Sequence, residues 1–152
     1  MPERPASEKT HIVLVNAVVF KGDKVLISQR SMEEQHEPGK WTIPGGKAER
    51  GSAGQFNILE KTAKREVLEE TGIVVGDRMR FVCDNSFIKA DGQHTIALIF
   101  ACEHKSGEPA ALEDTMACIW EDPGALDRYD FAPNVRDYIA AAFALRGSGA
   151  QG

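Results

Sequence analysis

Three glutamates, Glu66, Glu69 and Glu70, stand at i, i+3 and i+4 within the helix-forming stretch 64–73. That spacing crowds three negative charges onto one helical surface, which opposes the helix unless a cation offsets them. The same stretch belongs to a second stripe, Leu59, Ala63 and Val67 at i, i+4 and i+8, which has to be buried against something apolar. Glu60 and Lys64 form a favourably oriented i,i+4 pair, and Gly72 stands where a left-handed C-terminal cap belongs. The periodicity predicts a helix over residues 56–71. Hard carboxylate oxygens at this spacing suit Mg²⁺ or Mn²⁺, and Mg²⁺ commonly completes its shell with substrate phosphates. A solvated acidic helix face is the alternative.

Most of the remaining chain reads as strand. Residues 11–20 are a β-branched run, Lys21-Gly22-Asp23 is turn chemistry, and residues 24–30 are a second run, which together predict a hairpin. A charged loop containing Pro38-Gly39 leads to a short strand at Trp41-Thr42-Ile43, which Pro44-Gly45-Gly46 is expected to end; a loop then continues through Gly54. Residues 78–89 and 93–104 predict two strands joined at Ala90-Asp91-Gly92, and residues 116–121 another. Residues 123–126 read as a short helical turn. Residues 133–145 read as a helix with Val135, Tyr138, Ile139, Ala142, Phe143 and Leu145 on its apolar face. At 152 residues and 42% hydrophobic content the chain supports one domain, expected over residues 11–146 between a flexible segment (1–10) and a disordered tail (147–152).

Eighteen basic against 23 acidic residues give a net charge of −5, which disfavours binding to a nucleic-acid polymer or an anionic membrane. An acidic chain acting on an anionic ligand needs cations, whether bound metal or local Lys and Arg. The longest strongly apolar stretch, residues 94–102, is far shorter than the ~18–20 residues that cross a bilayer. Residues 1–10 carry no secretion pattern, so the expected location is the cytoplasm. Cys83, Cys102 and Cys118 lie far apart in apolar runs and read as buried reduced thiols.

Trp41-Thr42-Ile43-Pro44-Gly45-Gly46-Lys47, followed by Arg65-Glu66-Val67-Leu68-Glu69-Glu70-Thr71-Gly72-Ile73, resembles the signature of the Nudix hydrolase family, G-x5-E-x7-R-E-U-x-E-E-x-G-U with U a bulky aliphatic. The second half matches at every specified position. The first half departs: Asn57 stands where the signature has Glu, and Gly46 lies eleven residues before it rather than six, a five-residue insertion that includes Gly51, Ser52 and Gly54. Glu49 or Glu60 could substitute for the missing carboxylate. Asn57 can instead serve as a helix N-cap, with Glu60 completing a capping box.

The resemblance implies an α/β fold, a Nudix-type α/β/α sandwich with a mixed β-sheet. It implies a Mg²⁺-dependent hydrolase, Mn²⁺ being a second option, that cleaves a diphosphate linkage in a nucleoside triphosphate or another nucleoside diphosphate derivative. Glu66, Glu69 and Glu70, with the Gly46 carbonyl, are then the metal ligands. Glu66, Arg65 and Glu70 are the catalytic candidates, with Arg65 orienting Glu69 and with Glu66 as general base, Glu113 and Asp114 being its rivals. Arg30, Trp41, Gly45, Gly46, Lys47 and Asn134 are the substrate-binding candidates; Lys40 and His36 are further ones. Asp130-Phe131-Ala132-Pro133-Asn134 resembles a stretch by which MutT-like members of the family contact a purine, which Asn can pair with. A catalytically weak nucleotide sensor is the alternative that Asn57 raises, and a homodimer is left open. Diphosphate isomerisation is a third reading, against which Pro44-Gly45-Gly46 stands where a cysteine would be needed.

Overall fold

A computed structural model describes residues 10–48 and 54–149. β1 (Ile12–Lys21) and β2 (Lys24–Arg30) form the expected hairpin, closed at the Lys21↔Lys24 pair by a turn with Gly22 at φ 60°. The two strands pair only at Phe20↔Val25 and Lys21↔Lys24, then part like a fork. The fork is filled from within. β3 (Trp41–Thr42) pairs with β2, and β4 (Gly45–Lys47) lies antiparallel on β1, with Asn16 opposite Gly45 and Val15 opposite Gly46. Between them the Pro44 carbonyl accepts a hydrogen bond from Ala17 N–H at 2.9 Å.

The pair Gly45-Gly46, expected to end the strand, is itself a strand. Absence of side chains is the reason. A Cβ on Gly45 would collide with the Val15 carbonyl oxygen and the Asn16 amide, and one on Gly46 would stand 2.5 Å from the Glu66 carboxyl carbon. Only glycine lets the backbone approach this closely.

The other edge of β1 runs parallel to β7 (His94–Ser106) along its whole length. β6 (Arg80–Ile88) and the two-residue β5 (Val74–Val75) pair antiparallel with β7, and β8 (Thr115–Glu121) pairs antiparallel with β2. The sheet is therefore mixed. β5 was not anticipated, since two residues are too short for periodicity to register.

Period-2 alternation sends the strand side chains to two separate cores. Val15, Ala17 and Val19 of β1, Leu26 of β2, and Phe100 and Cys102 of β7 face α1 (Ile58–Thr71), which contributes Ala63 and Val67. Val18 and Phe20, Val25 and Ile27, and Ala97, Ile99 and Ala101 face α2 (Val135–Gly149), which contributes Val135, Tyr138, Ile139 and Ala142. The result is an α/β/α sandwich, in which each fully buried Val, Ile or Phe contributes about 1.5–3 kcal/mol. No helix among the described residues is long and apolar enough to cross a membrane.

α2 continues to Gly149, so residues 147–149 of the expected tail are helical. Its last turns are anchored by Arg146, which donates to the Gly22 carbonyl at 2.6 Å, pairs with Glu103 at 3.4 Å and lies 4.5 Å over the Phe20 ring. α1 ends as expected at Gly72 (φ 77°), whose N–H donates to the Leu68 carbonyl at 2.9 Å.

The start of α1 differs from expectation. Asn57 holds the N-cap position, and its carbonyl accepts from Lys61 N–H at 3.0 Å, but its side chain makes no capping bond and no box with Glu60 forms. The reason is its left-handed backbone, φ 60° and ψ 34°, where a side-chain N-cap needs extended geometry. Asn is chosen here for tolerating that region. Asn57→Ala should therefore cost about 1 kcal/mol and Asn57→Glu a similar amount, while Asn57→Gly should be neutral or stabilising, as measured by chemical denaturation. A side-chain cap would instead make the Gly variant less stable than wild type.

Candidate active site

The polar face of α1 turns toward the fork. Glu66 is half-buried beneath Gly46, and its Oε1 accepts a hydrogen bond from Arg65 Nη2 at 3.3 Å. The Arg65 Nε lies 3.8 Å from Glu69 Oε1, the i,i+4 pair expected from sequence. Glu70 points inward, and its Oε2 accepts from Gly45 N–H at 3.3 Å. β4 thus presents the Gly45 N–H to Glu70 and the bare Gly46 Cα to Glu66.

A further carboxylate arrives from the segment between β7 and β8. Gly107, at φ 93°, passes so near the Gly72 carbonyl that a Cβ would stand 2.5 Å from its oxygen. Ala110 N–H then donates to the Thr71 carbonyl at 2.8 Å and Leu112 N–H to the Glu70 carbonyl at 3.1 Å. A helix end leaves carbonyls without partners, and here the passing segment supplies the donors. Ser31 N–H fixes the far side by donating to the Asp114 carbonyl at 2.9 Å. Held between these bonds, Glu113 sits in the left-handed region at φ 49°, a conformation costly for Glu. One carboxylate oxygen each from Glu66, Glu69 and Glu113 lie within 4.8 Å of one another.

Burial raises the Glu66 carboxyl above its ordinary value, against the opposing pull of Arg65. Glu70 is pushed to about 8, first by burial, with the charges of Glu66 and Glu113 adding to it and the Gly45 N–H opposing. Carboxylates held this close, with Arg65 as the adjoining cation, fit a hard divalent ion, whose charge would relieve the crowding.

These groups border a cleft of about 860 Å³. Of the residues singled out from sequence, Arg30, Gly45, Gly46, Lys47, Glu66 and Glu70 line it, as do His36, Glu113 and Asp114. Arg65 and Glu69 adjoin it through Glu66. Trp41 and Asn134 are not among the lining residues. Trp41 packs edge-to-face on Tyr129, ring centroids 4.7 Å apart, while Asn134 is exposed before α2, at φ 72°, its carbonyl accepting from Tyr138 N–H at 3.1 Å. Lys40 is paired with Asp130 at 2.6 Å. Asn57 is exposed, neither it nor Glu60 lines the cleft, and Glu49 lies outside the described residues. Asn16 and Lys89 line the cleft without having been singled out. Asn16 was legible only as a polar interruption of the apolar β1 run, and Lys89 only as the last residue before a turn.

The NUDIX domain family description matches residues 10–142. The chain belongs to the Nudix family of pyrophosphohydrolases. It is 31% identical over 139 residues, covering 91% of this chain and 93% of the relative, to a Mycobacterium tuberculosis protein named "Putative 8-oxo-dGTP diphosphatase 2". A MutT NUDIX hydrolase from Burkholderia pseudomallei superposes with a TM-score of 0.73 at 25% identity, over 87% of this chain and 98% of that one. The NUDIX domain of Shewanella oneidensis NrtR, solved with ADP ribose, shares the fold at a TM-score of 0.74 and 21% identity, over 94% of this chain and 93% of that one. The Nudix signature thus accounts for the convergence of α1, β4 and the fork, and the insertion after Gly46 leaves that convergence intact.

Glu70 should make the metal-free Nudix domain pH-sensitive. Its folded pKa of about 8 lies above its ordinary 4.5, so the unfolded chain ionises first and stability falls as pH rises between those values. Each unit across the window removes up to about 1.4 kcal/mol. In chelator-treated protein, Glu70→Gln should raise Tm at pH 8–9 and leave it nearly unchanged at pH 4.5. An equal shift at both pH values would show that Glu70 is not held neutral.

Proposed function

We propose that this Nudix enzyme is a Mg²⁺-dependent hydrolase of nucleoside triphosphates, releasing a nucleoside monophosphate and pyrophosphate. The observation that carries this is the convergence of the Glu66, Glu69 and Glu113 oxygens beside a cleft that also holds Arg30, Lys47 and Lys89. Acids for a cation and cations for phosphates then share one cavity. Mn²⁺ suits the same oxygen donors.

Glu66, Glu69 and Glu113 would hold the ion, with Glu70 and the Gly46 carbonyl as additional donors. A bound Mg²⁺ would supply charge neutralisation for the phosphates and acidify water. Arg65 holds Glu66 and Glu69 in register and so acts as a positioning residue. Glu66 is the general base: it takes a proton from water as the water oxygen attacks phosphorus and the phosphoanhydride P–O bond breaks, its electron pair leaving with pyrophosphate. The raised Glu66 pKa favours accepting that proton. Glu70, held by Gly45 N–H, keeps β4 against α1 and so sets the floor on which the phosphates rest.

The relative's name puts 8-oxo-dGTP first among triphosphates to test. The ADP ribose bound by the Shewanella domain supports a second reading, a nucleoside diphosphate derivative split into two monophosphate esters. The sensor alternative has less to motivate it, because Asn57 does not line the cleft and Glu113 adds a carboxylate to the cluster. A cytoplasmic setting suits nucleotide substrates and the three free thiols Cys83, Cys102 and Cys118.

The test is product identification with Mg²⁺ and 8-oxo-dGTP, the unmodified dNTPs, ADP ribose and nucleotide sugars. Monophosphate plus pyrophosphate is expected; absence of hydrolysis across the panel would overturn the proposal. Glu66→Gln and Glu69→Gln should each lower kcat about a hundredfold or more. Mg²⁺ should raise the wild-type Tm and not that of either variant.

A further inference from the structure

Resting on the hydrolase reading above, the cations of the cleft can be sorted by what already engages them. Arg30 is occupied: its Nε donates to the His36 carbonyl at 2.9 Å and its Nη2 reaches Glu34 Oε2 at 3.3 Å. Lys47 and Lys89 are not. Among the described residues neither ammonium makes a hydrogen bond or ion pair, although both line a cleft rich in carboxylates.

Their backbones are fixed. Lys47 ends β4, in register opposite Leu14 of β1. Lys89 closes the β6–β7 hairpin: its N–H donates to the Gln93 carbonyl at 2.9 Å, and its carbonyl accepts from Gly92 N–H at 2.8 Å. Asp91, the acid of the same turn, uses its Oδ1 to accept from Gln93 N–H at 3.0 Å and does not pair with Lys89. Lys89 is half-buried. Burial, then the nearby charge of Lys47, holds its pKa below the ordinary lysine value. Lys47 is exposed, and two like charges bordering one cleft favour an anion that offsets both.

We propose that Lys89, which the β6–β7 hairpin carries into the cleft, completes a clamp for the phosphate chain of the substrate together with Lys47, itself a substrate-binding candidate by the family resemblance. The hairpin tip is then a substrate-binding element. Arg30 lines the same cleft while its Nε and Nη2 hold the 31–37 loop through the His36 carbonyl and Glu34.

The probe is inorganic tripolyphosphate, titrated calorimetrically in the presence of Mg²⁺ into wild type and single variants, with Tm measured alongside. Lys89→Met and Lys47→Met should each weaken binding about tenfold, corresponding to about 1.4 kcal/mol. Lys89→Arg should retain most of the affinity, and all variants should melt with wild type; Lys89→Gln replaces Lys89→Met if the latter melts early. Unchanged affinity in a folded Lys89 variant, or no binding by wild type, overturns the clamp. The hydrolysis panel is read separately: wild type that binds tripolyphosphate through Lys89 but cleaves no nucleotide keeps the clamp and removes the hydrolase reading, and the reverse result does the opposite.

Discussion

The site depends on how closely Gly45-Gly46 lies between β1 and α1. On one side this backbone pairs with Val15 and Asn16; on the other it meets the carboxylates of Glu66 and Glu70. No side chain fits in either gap. A methyl group at position 46 would displace the Glu66 carboxylate, and one at position 45 would push β4 off β1. Both consequences reach the same acids. The parting of β1 from β2 makes this contact possible, since a hairpin paired along its whole length would leave no edge of β1 for β4 to occupy.

α1 carries two incompatible surfaces and the fold answers each separately. Ala63 and Val67 disappear into a core with Val15, Ala17 and Phe100, which fixes the rotation of the helix. That rotation turns Glu66 and Glu70 toward β4 and leaves Glu69 exposed beside Arg65. The helix end then recruits Glu113, because the backbone donors of Ala110 and Leu112 satisfy the carbonyls of Thr71 and Glu70. A requirement common to all helices, partners for the last carbonyls, thereby places an acid at the mouth of the cleft.

Electrostatics ties the two walls together. The acids cost free energy where they stand, as the elevated pKa of Glu70 shows, and the half-buried Lys89 is held against its ordinary charge preference as well. A protein that only had to be stable would remove both groups. Their joint presence in one cleft is what the proposed metal-dependent cleavage of a phosphate chain would require.

The sequence by itself determined the Nudix family, most of the strands along the chain, a helix over residues 56–71 that the structure has as Ile58–Thr71 with its Gly72 cap, and the acids it carries. These are local properties: period 3.6 against period 2, and short-range spacing of charge and glycine. The tertiary structure alone decided which groups meet. Glu113 and Lys89 stand 47 and 23 residues beyond Glu66, and no local pattern distinguishes them from solvated loop residues. The reading of Gly45-Gly46 as a strand end failed for the same reason, since glycine disfavours strands on propensity and is required only because of what packs against it. So did the side-chain cap at Asn57: the residue holds the N-cap position, but its type suits a side-chain cap or a left-handed backbone equally, and the direction from which the chain enters α1 chose the second.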